Sequence, residues 1–150
     1  MEKITAFFDG IDLAKLVPEM DTLLGKIQTA TSLALIIGPI LMLILGLWYY
    51  FLPPKEANHR AGFRTWFGMG SVEAWLFTQR LAGLVWGGLG LVLTIIMGII
   101  CLSFGGKELA HIVGTAFVAL IWQAALALVA YIAVCTIVTV RYDSKGQKRR

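Results

Sequence analysis

At 150 residues, with 58% hydrophobic and 15% charged residues and a mean hydropathy of +0.78, the chain is too apolar for a water-soluble domain of its size and reads as one small membrane domain. The net charge of +4 reflects Lys and Arg gathered beside apolar runs, so it is not read as a nucleic-acid signal. Three windows, 32–52, 81–104 and 112–140, reach the roughly 20 apolar residues that a helix needs to cross the hydrocarbon core. They are continuous rather than alternating, which excludes a β-barrel pattern and leaves helices to satisfy the backbone in lipid. The expected fold is all-α: a polytopic membrane protein of three transmembrane helices preceded by an N-terminal amphipathic helix.

Residues 1–30 form the expected amphipathic segment. Asp9-Gly10 is a turn signal, and Pro18 followed by Glu19 and Asp21 has the composition of a helix start. Met20, Leu23, Leu24 and Ile27 then recur at helical spacing, and Ile4, Phe7, Phe8 and Ile11 extend the stripe upstream. Such a stripe lies on a membrane surface or docks on a partner subunit. Residues 31–150 make the three-helix domain. In the first span Gly38-Pro39 removes a backbone donor and favours a kink. That span ends in Trp48, Tyr49, Tyr50 and Phe51, an aromatic belt, and Pro53-Pro54 forbids the helix from continuing.

The second span carries Gly83, Gly87, Gly90, Thr94 and Gly98 at steps of four, three, four and four. A stripe of small residues lets another helix backbone approach closely. The partner is another span of the same chain or a second copy, so a homodimer through the Gly face is one expectation. The third span holds His111 near one end and Gln123 well inside. A buried amide on a span is read as helix-helix glue, with a ligand contact as the alternative. Ala116, Ala119, Ala127 and Ala130 ease close packing of that helix. Cys101 and Cys135 fall within spans and are expected as free, buried thiols.

Basic residues flank cytoplasmic ends. The N-terminal tail and the second loop share one side and carry Lys3, Lys15, Lys26 and Lys107. The first loop and the C-terminal tail carry Lys55, Arg60, Arg64, Arg80, Arg141, Lys145, Lys148, Arg149 and Arg150. The expected placement is a bacterial cell membrane, N-terminus outside, with the 53–80 loop and the C-terminus in the cytoplasm. The basic tail is read as a stop-transfer anchor or a contact with anionic headgroups.

The polar stretch Asn58–Arg80 is the remaining feature. Gly68 and Gly70 mark a turn, Ser71 is placed to cap a new helix, and Trp75, Gln79 and Gly83 then share one helical face that runs into the second span. Arg64 and Arg80 flank the carboxylate of Glu73, so a compact cap closed by an arginine-carboxylate pair is expected.

The pattern Asn58-x-x-x-Gly62-Phe63-Arg64-Thr65, then Ser71-x-x-x-Trp75 and Gln79-Arg80-x-x-Gly83, resembles the signature of the SdpI family of bacterial membrane proteins. The resemblance covers about thirty residues. It implies a role in immunity against a membrane-active peptide toxin, in membrane signalling through a bound cytoplasmic regulator, or in both. The family's namesake is longer and has more crossings. Beside the resemblance stands a second reading, a small accessory or assembly subunit of a larger complex of membrane subunits.

No nucleophile with a base, metal-ligand spacing or phosphate loop appears in the sequence. His59 and His111 fall on opposite sides of the expected topology, and the spans hold no Asp or Glu of the kind that marks ion pathways. The expectation is a non-enzyme without cofactor or metal, whose partners are the lipid bilayer and a peptide, regulator or subunit.

Overall fold

The computed structural model describes residues 13–57 and 61–149, with side chains from Asp21 onward. Three helices make up nearly all of it: α1 (Leu13–Phe51), α2 (Val72–Leu102) and α3 (Leu109–Arg141). Each contains a stretch long and apolar enough to cross a membrane. The all-helical membrane fold is therefore as the sequence implies. Chain reversal at 103–108 and at 52–71 places the end of α1, the start of α2 and the end of α3 together at one end of the bundle, called here the cap end.

The separate N-terminal amphipathic helix is not supported. From Leu13 the helix runs unbroken through Ser32 to Phe51. The helix begins at Leu13, ahead of the Pro18 expected to start it; between Pro18 and Ser32 no loop signal intervenes, and Gly25 alone costs a helix only about 1 kcal/mol. The hydroxyls of Thr29 and Ser32 donate to the carbonyls of Gly25 and Gln28 one turn back, so they are absorbed into the helix rather than ending it. Leu23, Leu24 and Ile27 are exposed on this extended helix. The stripe upstream, Ile4 to Ile11, lies outside the described residues, as do Asn58, His59, Arg60 and Arg150.

The seam between α1 and α2 is the tightest in the bundle, and glycine makes it so. Gly83, Gly87 and Gly90 of α2 are buried against α1. A Cβ on Gly83 would stand 2.6 Å from the Tyr50 nitrogen, and one on Gly90 would stand 2.5 Å from the Leu43 nitrogen. From the α1 side, a Cβ on Gly46 would run into the backbone of Gly87. The small face is thus filled within the chain, and a homodimer through it would have to displace α1. Its far end does not take part: a Cβ on Gly98 meets nothing, and the Thr94 hydroxyl bonds back to the Gly90 carbonyl of its own helix.

Helix α3 is joined to α1 by a polar contact with a clear cause. Pro39 has no backbone N–H, so the Leu35 carbonyl four residues earlier loses its helical donor. The Gln123 Nε2 donates to that carbonyl at 3.0 Å, in a buried setting. An unsatisfied carbonyl in the hydrocarbon region is costly, and Gln123 relieves it while tying two helices together. The helix continues through Pro39 without a break. Gln123→Leu is expected to lower stability by about 1 kcal/mol. In a Pro39→Ala background the restored N–H recaptures Leu35, and the same change should cost much less. Reversible unfolding of the four proteins in bicelles measures this coupling; equal costs in both backgrounds would contradict the assignment.

Two apolar clusters fill the interior. Leu35, Leu93, Met97, Phe104, Ile112 and Ala116 pack toward the α2–α3 turn. Phe63, Ala74, Ala82, Val134, Val138 and Tyr142 pack toward the cap end. The outward faces stay apolar, with Ile37, Ile44, Leu84, Ile95, Phe117 and Leu128 all more than half exposed, as suits helices solvated by lipid. Cys101 and Cys135 are free, but half-buried rather than enclosed.

Candidate functional site

The loop between α1 and α2 begins where Pro53-Pro54 follows the end of α1 at Phe51. Helix α2 opens at Ser71, whose Oγ accepts from the Ala74 N–H at 3.1 Å. Glu73 sits in its first turn, where a carboxylate suits the positive end of the helix dipole. Trp75, Gln79 and Gly83 do share one buried face, and Trp75 and Gln79 are fully enclosed.

The loop folds back onto that face. The Phe63 N–H donates to Gln79 Oε1 at 2.8 Å, and Gln79 Nε2 donates to the Phe63 carbonyl at 2.8 Å. One side-chain amide thus pairs with both backbone groups of one residue, in the manner of a strand partner. Gly62 brings the chain to this point with φ +111, and a Cβ there would also collide with the Trp75 ring. Only glycine meets both demands. The Trp75 Nε1 donates to the Pro54 carbonyl at 2.7 Å, fastening the start of the loop. Thr65 Oγ1 accepts from the Gly68 N–H at 3.0 Å, and the Thr78 hydroxyl donates to the Ala74 carbonyl. The Phe63 ring then packs against Trp86 and Tyr131, with centroids 5.9 and 5.3 Å away.

Side chains in the Gly62–Trp66 run alternate. Phe63 and Thr65 point inward and are buried, whereas Arg64 and Trp66 point outward, Trp66 being 82% exposed. The inward set builds the cap, and the outward set is displayed by it.

Closure of the cap comes from a different place than the sequence implied. The Glu73 carboxylate accepts from the Tyr142 phenol, at 3.4 Å to Oε1, a partner from the far end of the chain. Among the described residues Arg80 has no hydrogen-bond or ion-pair partner, and it is exposed. Arg64 and Glu73 are exposed as well. Tyr142 belongs to the C-terminal tail, which forms a small hairpin. Asp143 Oδ1 accepts from the amides of Lys145 and Gln147, Gly146 turns the chain at φ +72, and the Arg149 N–H donates to the Arg141 carbonyl. Tyr142 and Lys148 form an antiparallel bridge. The Ser71 hydroxyl, while capping α2, donates to the Gly146 carbonyl at 2.7 Å. Arg141 lies over the Phe77 ring at 4.4 Å, and Arg149 over Phe67 at 5.9 Å.

Burial, then the Glu73 carboxylate, holds the Tyr142 phenol above its usual pKa, with Arg141 acting in the opposite direction. The phenol is therefore a protonated donor throughout the neutral range. Sequence reasoning read the basic tail as an anchor and missed its hairpin; the signal was Asp143-Ser144-Lys145-Gly146, a turn pattern immediately after the last span.

The polar atoms of Gln79, Trp75, Thr65 and Ser71 are all engaged by the chain itself. What the cap offers outward is cations and aromatic surface, suited to binding. Among the described residues no three His, Cys, Asp or Glu lie together as metal ligands. No family model, curated protein or solved structure matches the chain.

Proposed function

We propose that the chain is a non-catalytic membrane protein that works by binding, in the manner expected of an SdpI-like immunity or signalling protein. The observation that supports this reading is the alternation at Phe63–Trp66. Inward side chains are spent on a fixed cap, and the cap presents Arg64 and Trp66 side by side to whatever approaches from that face. With the cap end on the cytoplasmic side, as the distribution of basic residues implies, that partner is a cytoplasmic regulator or the cytoplasmic part of a membrane protein. A toxin arriving from outside would be met by the spans, and the cap would hold them in register.

Arg64→Ala is expected to abolish function with membrane abundance unchanged. The test is to delete the gene, challenge cells with a panel of membrane-active peptides, and complement with wild-type or Arg64→Ala protein. Sensitivity upon deletion, rescued by the wild type only, is the expected result. Unchanged sensitivity across the panel would remove the immunity role, and full rescue by Arg64→Ala would remove the cap surface as its means. Stoichiometric co-purification of other subunits in mild detergent would move the assignment to an accessory subunit.

A further inference from the structure

A second feature of the cap end is independent of that surface. Between α2 and α3 lies a cleft of ≈ 590 Å3, whose polar rim is made by Glu73, Arg80, Arg141 and Tyr142 and whose wall includes Leu81 and Leu84. Leu84 is 63% exposed and continues outward as the lipid-facing surface of α2. The cleft is therefore charged at one end and apolar at the other.

Depth fixes which environment it opens to. Arg80 stands 22 residues before Leu102, the last residue of α2, or ~33 Å at 1.5 Å per residue. That matches the ~30 Å hydrocarbon thickness, so Arg80 lies at the headgroup level when the far end of α2 lies at the opposite one. Arg141 ends the antiparallel α3 and rests on the Phe77 ring, one turn from Arg80. Both guanidinium groups thus stand at the same boundary. Tyr50, in the aromatic belt that ends α1, also borders the cleft.

The charges are complementary to one kind of occupant. Two guanidiniums and one carboxylate leave a rim of +1, and the carboxylate is already engaged by Tyr142. A single phosphodiester neutralises that rim. Guanidinium forks suit phosphate oxygens, and Arg141 is pre-positioned by its aromatic contact. We propose that this cleft binds one anionic glycerophospholipid, its phosphate between Arg80 and Arg141 and an acyl chain along Leu81 and Leu84. The apolar wall separates this site from one for a free phosphate ion, which gains nothing from Leu84.

Native mass spectrometry of the full chain in neutral detergent tests the assignment. Phosphatidylglycerol, phosphatidylcholine and inorganic phosphate are titrated separately. One phosphatidylglycerol is expected to bind, about tenfold more tightly than either alternative. Arg80→Gln should weaken it about fivefold, and Lys55→Gln, which removes a charge from the same end away from the cleft, should leave it unchanged. Arg80 is the decisive position because it has no partner in the described residues, so its loss does not disturb packing. Arg141→Gln should act in the same direction, with a melting measurement to detect any loss of the Phe77 contact. Equal loss in Arg80→Gln and Lys55→Gln would mean diffuse attraction and overturn the site. Equal affinity for phosphatidylcholine, or for inorganic phosphate, would overturn it as well.

Discussion

Gln79→Leu is expected to release the cap while leaving the three helices inserted. The change removes both 2.8 Å hydrogen bonds to Phe63 and leaves that residue's N–H and carbonyl facing an apolar side chain. A buried polar group without a partner costs about 1–3 kcal/mol, so the loss for the pair is about 2–6 kcal/mol, enough to detach the loop from α2. Gln79→Glu keeps an acceptor for the Phe63 N–H but places a carboxylate oxygen against the Phe63 carbonyl, and should fall between wild type and leucine. Limited proteolysis within 55–70 measures the release. Proteolysis of Gln79→Leu at the wild-type rate would show that the amide pairing does not hold the loop.

Gly46→Ala is expected to open the α1–α2 seam. The added methyl would run into the backbone of Gly87, which cannot rotate away as a side chain can. Overpacking of this kind costs about 1–3 kcal/mol, and because packing is what holds helices together in lipid, the loss appears directly as weaker helix association. Gly98→Ala makes an informative companion, since it adds the same methyl to the small stripe of α2, at a position with open space around it. Unfolding in bicelles should show a clear drop for Gly46→Ala and little change for Gly98→Ala. Because alanine favours the helix more than glycine does, propensity cannot lower either variant, and a similar drop in both would show that close approach at Gly46 does not set the effect.

The elements legible in the sequence were those governed by local rules. Apolar length gave the three spans, Pro53-Pro54 gave the end of α1, and Ser71 gave the start of α2. Spacing alone put Trp75, Gln79 and Gly83 on one face. The N-terminal segment was misread because an apolar stripe at helical spacing looks the same on a separate surface helix and on the overhanging end of a long span. Nothing local distinguishes them, and continuity through Ser32 decides.

At the candidate site, the residues could be named from the sequence but their roles could not. Gln79 and Phe63 pair across sixteen positions, and Ser71 reaches Gly146 across seventy-five. Contacts at such separations depend on how α3 returns to the start of α2, which no local pattern encodes. Opposite charges near each other in sequence pointed to an Arg64–Glu73–Arg80 closure. Tyr142 meets Glu73 because the end of α3 brings a buried phenol to the first turn of α2, while Arg80 stands about two turns further along the same face, on the rim of the cleft. Gln123 shows the opposite case: its helix-bridging role was legible, and the reason for it, the Leu35 carbonyl freed by Pro39, became visible only with the two helices side by side.

Everything proposed for the cap depends on its being a fixed structure rather than a loop that samples many shapes. Amide hydrogen exchange on the wild-type chain in lipid nanodiscs tests this most directly. The Phe63 and Gly68 amides, which donate to Gln79 and Thr65, should exchange as slowly as the amides around Ala82 inside α2, while Lys55 and Ser144 exchange quickly. Exchange at Phe63 and Gly68 as fast as at Lys55 would contradict a fixed cap, and with it the display of Arg64 and Trp66.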